Sequence, residues 1–205
     1  MGDPRKLRKN YSPPKHPWEA SRIQAERPLI IEYGLKNKKE IWKAQSLLKR
    51  FTAQAKILST IKTKHQESER QQLINKLLKI GLLKQGQDRE DVLGLNVRNV
   101  LDRRLQTLLV KKGLALSAKQ ARQFIVHGHV GVNGQKITVP GYLVNLDDEN
   151  KINFLSNSSI NDPEHAERIL IKEKYNKESK EEKEVREKKA KKESKEEVKE
   201  EPKKE

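Results

Sequence analysis

Cysteine is absent from the 205 residues, which removes disulfides, thiolate metal sites and cysteine nucleophiles together. Long apolar runs are missing too: none approaches the ~20 residues of a spanning helix, and no lipidation motif is present. Met1 through Lys15 holds no apolar stretch of the secretory kind. A cytoplasmic protein with no membrane partner is therefore expected. The Asn-X-Ser sequences at Asn10 and Asn157 then read as chance matches.

Catalytic signatures are lacking as well. The chain has no Gly-rich phosphate loop of the Walker type, no nucleophile elbow and no His-Glu-x-x-His pair. His127 and His129 come nearest to a metal site, but with no Cys and no acidic residue close by in sequence they read as hydrogen-bonded or phosphate-facing side chains. Asp147, Asp148 and Glu149 read as a polar loop before a last strand, since paired carboxylates need a cleft and nothing predicts one around them. The expectation is a protein that is not an enzyme, with no cofactor, no metal and no small-molecule substrate.

What the chain does have is charge. Only 33% of residues are apolar while 36% are charged, and 45 Lys/Arg against 29 Asp/Glu give a formal net charge of +16. From Lys172 to Glu205 the balance is 14 Lys/Arg to 12 Glu, which leaves +14 on residues 1–171. The positive field belongs to the body of the chain, and such a field attracts phosphate backbones through counterion release. An RNA-binding structural protein fits best.

Along the chain, composition and patterning divide four regions: a basic arm over 1–28, a helical subdomain over 29–95, a compact α+β unit over 96–157 and a charged tail over 158–205. The arm is interrupted by Pro4, Pro13, Pro14, Pro17 and Pro28, a spacing that argues against any continuous helix before residue 28. Its Arg5, Lys6, Arg8 and Lys9 precede Tyr11 and Trp18, a pattern suited to a strand laid across phosphates with rings free to stack. So little apolar content predicts an arm that orders only with RNA.

Ala44, Leu48, Phe51, Ala55 and Leu58 recur at helical spacing, as do Leu73, Ile74, Leu77 and Leu78, with Gly81 as a stop. Asn96 is placed as the cap of a third helix along Val97, Leu101, Leu105 and Leu108, and its opposite flank carries Arg103, Arg104, Thr107 and Lys111. Ser117 and Gln120 form a capping box that opens a fourth helix. That helix buries Ala118, Ala121, Phe124 and Ile125, presents Lys119, Arg122 and Gln123, and ends at Gly128. Alternation then takes over: Val130 and Val132, an Asn133-Gly134 hairpin turn, Ile137 and Val139, a turn at Pro140-Gly141, and a closing strand at Ile152 and Phe154. The fold class is α+β: two helices followed by a small antiparallel sheet, preceded by a helical subdomain and an extended arm. The Lys/Glu tail is too poor in apolar residues to make a core, so disorder or transient helix is expected, with weak pairs such as Glu182 with Arg186 and Glu187 with Lys191.

The run from Leu101 to Phe154, LDRRLQTLLVKKGLALSAKQARQFIVHGHVGVNGQKITVPGYLVNLDDENKINF, resembles the S-four RNA-binding domain. That domain is also an accessory in several RNA-modifying and translation proteins. The upstream segments PWEASRI, EYGLKNKKEIWKAQSLLKRF, IGLLKQGQ and LGLNVRNVLDRRLQ are similar to the archaeal and eukaryotic branch of the small-subunit ribosomal protein of the S-four family, so the resemblance runs over about residues 3–160. It implies a primary ribosomal-RNA-binding protein of the 5′ domain of small-subunit rRNA that nucleates assembly, lies beside other small-subunit proteins near the mRNA entry path and supports decoding accuracy. By position it implies an RNA face of Arg103, Arg104, Lys111, Lys119, Arg122 and Gln123, to which His127 and the arm residues Arg5, Lys6, Arg8 and Lys9 are added. The N-terminal cysteine zinc site of some bacterial members has no counterpart here, and the Lys/Glu richness fits a thermophilic archaeal source.

Overall fold

Helix begins where the proline cluster ends. In the computed structural model, which describes residues 9–60, 64–87, 89–162 and 164–174, α1 spans Ala20–Glu32 and carries Pro28 inside it. This corrects the expectation of a helix-free segment up to residue 28. Proline removes one amide donor, which costs a helix interior several kcal/mol. Here Leu29 and Ile30 just beyond it pack on the core, and the Arg22–Glu26 pair bridges the preceding turn at 2.8 Å. The non-helical arm among the described residues is thus 9–19.

Two long helices follow, α2 (Lys38–Thr60) and α3 (Lys64–Ile80). They bury Ile41, Ala44, Phe51 and Ala55 against Leu73 and Leu77, and Val92 of the short α4 (Arg89–Leu93) closes the cluster. The Ile, Phe, Leu and Val side chains among them contribute roughly 1.5–3 kcal/mol each on full burial, so this shared face holds the helical lobe together. Gly81, at φ 79°, ends α3 in the left-handed conformation.

The second lobe is built on α5 (Val97–Asp102), α6 (Leu105–Lys111) and α7 (Ala118–His127). Ser117 Oγ accepts from the Gln120 amide at 3.3 Å, and Gln120 Oε1 accepts from the Leu116 amide at 2.7 Å, so the reciprocal cap is present. After Gly128 come β1 (Val130–Val132) and β2 (Gln135–Lys136), joined by Asn133 and Gly134 at φ 53° and 79°. Both positive angles identify the tight turn that matches strand twist. β3 (Ile152–Phe154) completes an antiparallel sheet of order β2-β1-β3, with Val130 opposite Phe154 and Val132 opposite Ile152. Leu105, Leu109, Phe124, Ile125, Val130 and Ile152 form its core, and Phe124 meets Phe154 edge-to-face at 5.9 Å.

Three local expectations differ from this structure. β2 ends at Lys136, and Val139 is 59% exposed instead of lying in a strand. Leu146–Glu149 forms a helical turn, α8, where a loop was expected. Asn96 precedes α5 but makes no side-chain cap. The chain divides after Ser158, and the second unit contains a 3-10 turn at Ser159–Asn161 and helical residues 166–174. Glu182, Arg186, Glu187 and Lys191 lie outside the described residues. Among the described residues no helix is long and apolar enough to cross a membrane.

Candidate nucleic-acid interface

The Arg103–Arg104 doublet does not continue a helix. It sits in a break between α5 and α6, because the backbone there pairs with a segment forty residues on: the Leu105 amide donates to Tyr142 O at 2.8 Å and the Val144 amide to Arg103 O at 3.1 Å. Arg104 and Leu143 form an isolated bridge. The break rotates both arginines off the outer flank expected for them. Arg103 donates from Nε to Ile80 O at 2.8 Å, from Nη1 to Glu149 Oε2 at 2.8 Å and from Nη2 to Val144 O at 3.3 Å. It is a staple between the end of α3, the 142–144 segment and α8, and Lys112 Nζ adds a hydrogen bond to Glu149 O.

Arg104 is only 6% exposed and donates from Nη2 to Glu40 Oε2 at 2.6 Å. Arg122 of α7 reaches the same carboxylate, with Nη2 to Oε1 at 2.8 Å and Nη1 to Oε2 at 3.3 Å. One carboxylate from the helical lobe therefore holds two guanidinium groups of the other lobe. Burial alone would raise the Glu40 carboxyl, but the hydrogen bonds from Arg122 and Arg104, with their charges, outweigh it and hold the group below the usual carboxylate range. Two cations on one anion leave a positive excess beside a cavity of about 320 Å³, lined also by Lys43, Val139 and Pro140.

A second lock lies behind this cluster. Gln106, 1% exposed, donates from Nε2 to Ala118 O at 2.7 Å, Gly34 O at 3.1 Å and Tyr33 O at 3.3 Å. Tyr33 in turn donates its hydroxyl to Asp102 Oδ1 at 3.3 Å. Burial, then the charges of Asp102 and Glu32, push the Tyr33 phenol up to about 12. With α2 and α7 fixed in this way, the exposed cations next to the clamp are Lys39 and Lys43, on either side of Glu40 in α2, and Lys119 on α7, with Gln123 and His127 further along that helix. Lys111 is exposed and bonded to Asp102 at 3.0 Å. Lys9 is exposed, and Arg5, Lys6 and Arg8 lie outside the described residues. His127 and His129 stack at 6.3 Å, and His129 Nδ1 lies 2.8 Å from Ser158 Oγ.

Sequence reasoning missed Glu40 and Gln106, and with them Lys39 and Lys43. The one available signal was the Arg103–Arg104 doublet itself: two cations in an otherwise apolar run need a carboxylate when buried.

Comparison with known proteins places this arrangement. The S4 domain matches residues 103–150. The small ribosomal subunit protein uS4 of Methanothermobacter thermautotrophicus is 49% identical over 158 residues, covering 77% of this chain and 92% of that protein. Its counterpart in Methanococcus aeolicus is 50% identical over 169 residues, 82% of this chain and 96% of that protein. The chain belongs to the uS4 family. A further uS4, from Saccharolobus islandicus, is 48% identical over 160 residues, 78% of this chain and 88% of that protein. The uS4 matches run far beyond the 103–150 segment, so the family shown is that of the ribosomal protein and not of the domain alone.

Proposed function

We propose that the chain is a structural constituent of the small ribosomal subunit, in the cytoplasm, that binds small-subunit rRNA across the junction of its two lobes. It is not an enzyme. The observation that carries the reading is the Glu40 clamp, which sets the exposed lysines of α2 beside α7 as one rigid cationic face. Lys39, Lys43, Lys119, Gln123 and His127 supply charge-assisted donors to phosphates there, and Lys111, Arg5, Lys6, Arg8 and Lys9 extend the positive field. Arg122 contributes its remaining exposed edge, while Arg103 and Arg104 act by holding the frame. Folded RNA is recognised largely by shape and backbone contacts, and a rigid face with lysines on two helices suits it. Binding the 5′ domain early, nucleating assembly, lying beside other ribosomal proteins near the mRNA entry path and supporting decoding accuracy complete the proposal.

The test separates frame from face. Lys43→Ala with Lys119→Ala leaves the unfolding midpoint unchanged, because both side chains are exposed, and lowers the salt slope of rRNA binding by about 1 per phosphate contact removed. Filter binding to 5′-domain rRNA between low and physiological salt measures it, with sedimentation in high-salt gradients as the check in cells. An unchanged affinity and slope removes Lys43 and Lys119 from the interface. A protein that leaves the small subunit in high salt is a free RNA-binding factor instead.

A further inference from the structure

Trp18 is 91% exposed, the most exposed large apolar side chain of the described residues, and the chain around it is tied down rather than loose. Arg22 Nη2 donates to the carbonyl oxygens of Pro17 at 2.9 Å and His16 at 3.4 Å, and Arg22 Nη1 donates to Glu26 Oε1 at 2.8 Å. Glu26 is 3% exposed, and its Oε1 also accepts from Trp42 Nε1 of α2 at 3.1 Å. On the other side of the loop, the Ser12 amide donates to Ser46 Oγ at 3.0 Å, and the Tyr11 ring lies 6.2 Å from that of Trp42. Pro13, Pro14 and Pro17 restrict φ between these two anchors. A buried carboxylate thus positions a turn whose next side chain is an indole held in water.

The surroundings say what covers that ring. Lys15, His16, Glu19, Ala20 and Ser21 are all exposed, and none of them is a large apolar residue. Between residues 9 and 21 only Pro13 and Pro17 add exposed apolar surface larger than a methyl to that of the ring, a small patch for a protein partner. A nucleobase needs only one flat π-face of its own size. Exposed Lys9, Lys15 and Arg27 outnumber the one exposed acid of this stretch, Glu19, so the backbone that carries such a base is attracted to the same place.

We propose that Trp18 is a stacking platform for an unpaired base of small-subunit rRNA, preorganised by the Arg22–Glu26–Trp42 network. The inference rests on the rRNA-binding reading above, and the experiment keeps the two apart. The full chain, Trp18→Phe and Trp18→Ala are bound to small-subunit rRNA transcribed in vitro, with affinity and tryptophan emission read together. Trp42 is the only other tryptophan, so the emission difference between wild type and Trp18→Phe reports Trp18 alone. The expected result is that rRNA quenches this difference signal. Trp18→Phe keeps most of the affinity, Trp18→Ala loses roughly tenfold, and the salt slope stays the same, since stacking releases no counterions. Thermal midpoints stay equal, because the ring packs on nothing. If wild type binds rRNA while the Trp18 signal is unquenched and Trp18→Ala binds equally well, the platform is overturned and the rRNA reading stands. If Trp18→Ala binds naked rRNA normally but is lost from small subunits, the ring faces a ribosomal protein and the platform is again overturned. If wild type binds no rRNA, the rRNA reading falls and the platform falls with it.

Discussion

Replacing Glu40 by alanine is expected to lower the unfolding free energy by about 3–5 kcal/mol, the range for removing one partner of a buried charge network. Arg104 loses the carboxylate that its Nη2 meets at 2.6 Å, and its Nη1 is already buried without a hydrogen-bond partner. Its side chain is 7% exposed, too little for water to replace the missing anion. Arg122, 23% exposed, relaxes toward solvent and contributes less to the loss. Adding Arg104→Met to Glu40→Ala should recover part of the stability, since an apolar side chain tolerates the site that an unpaired guanidinium does not. Acidity supplies the second arm. Because the folded Glu40 carboxyl titrates below its ordinary value of 4.5, its contribution is complete above that pH and is lost as pH falls through the lower folded value. The stability gap between wild type and Glu40→Ala should therefore be full at pH 7 and shrink in acid. Urea unfolding across this range measures it. A gap below about 1 kcal/mol at pH 7 would show that Glu40 behaves as an ordinary surface ion pair.

Those expectations concern a carboxylate that the Arg103–Arg104 doublet calls for but that no local pattern identifies as Glu40, which illustrates where legibility ends. Local signals were readable. Ser117 with Gln120, Gly128 and Asn133-Gly134 each encode a conformation within a few residues, and each stands where the pattern placed it. Periodicity was readable as well, because a buried helical face imposes its spacing on α2, α3 and α7. The break at Arg103–Arg104 was not. Val97, Leu101, Leu105 and Leu108 keep helical spacing across it, and the groups that interrupt the helix belong to 142–144, a long-range pairing with no local mark. A helical wheel then assigned to solvent two arginines that the structure turns inward. Pro28 failed for the related reason that tertiary packing of Leu29 and Ile30 offsets a local penalty. In the candidate interface, the exposed cations of α7 were legible from its face, whereas Lys39 and Lys43 join them only because Glu40 brings α2 alongside.

Gln106→Leu should lower stability by about 2–4 kcal/mol, through a different route: backbone carbonyls deprived of a buried donor. Leucine fills nearly the same volume and keeps the apolar contacts, so no cavity term enters. What disappears is the Nε2 amide that meets Ala118 O, Gly34 O and Tyr33 O. Nothing else can take its place, because the approach is already tight: Gly34 adopts φ 57°, and a Cβ there would stand 2.7 Å from that of Ala118. This contact fixes the α1–α2 turn against the start of α7, and so sets where Glu40 and Lys43 stand relative to Arg122 and Lys119. The loss should accordingly reach RNA binding and not stability alone. Leu73→Ala in α3 is the control, since deleting a buried leucine there costs a comparable 2–5 kcal/mol without touching the junction. At a temperature where both variants are fully folded, Gln106→Leu should bind 5′-domain rRNA more weakly than wild type, and Leu73→Ala should bind as wild type does. Equal affinities for the two variants would mean that the junction matters only for folding, and that the cationic face assembles without this lock.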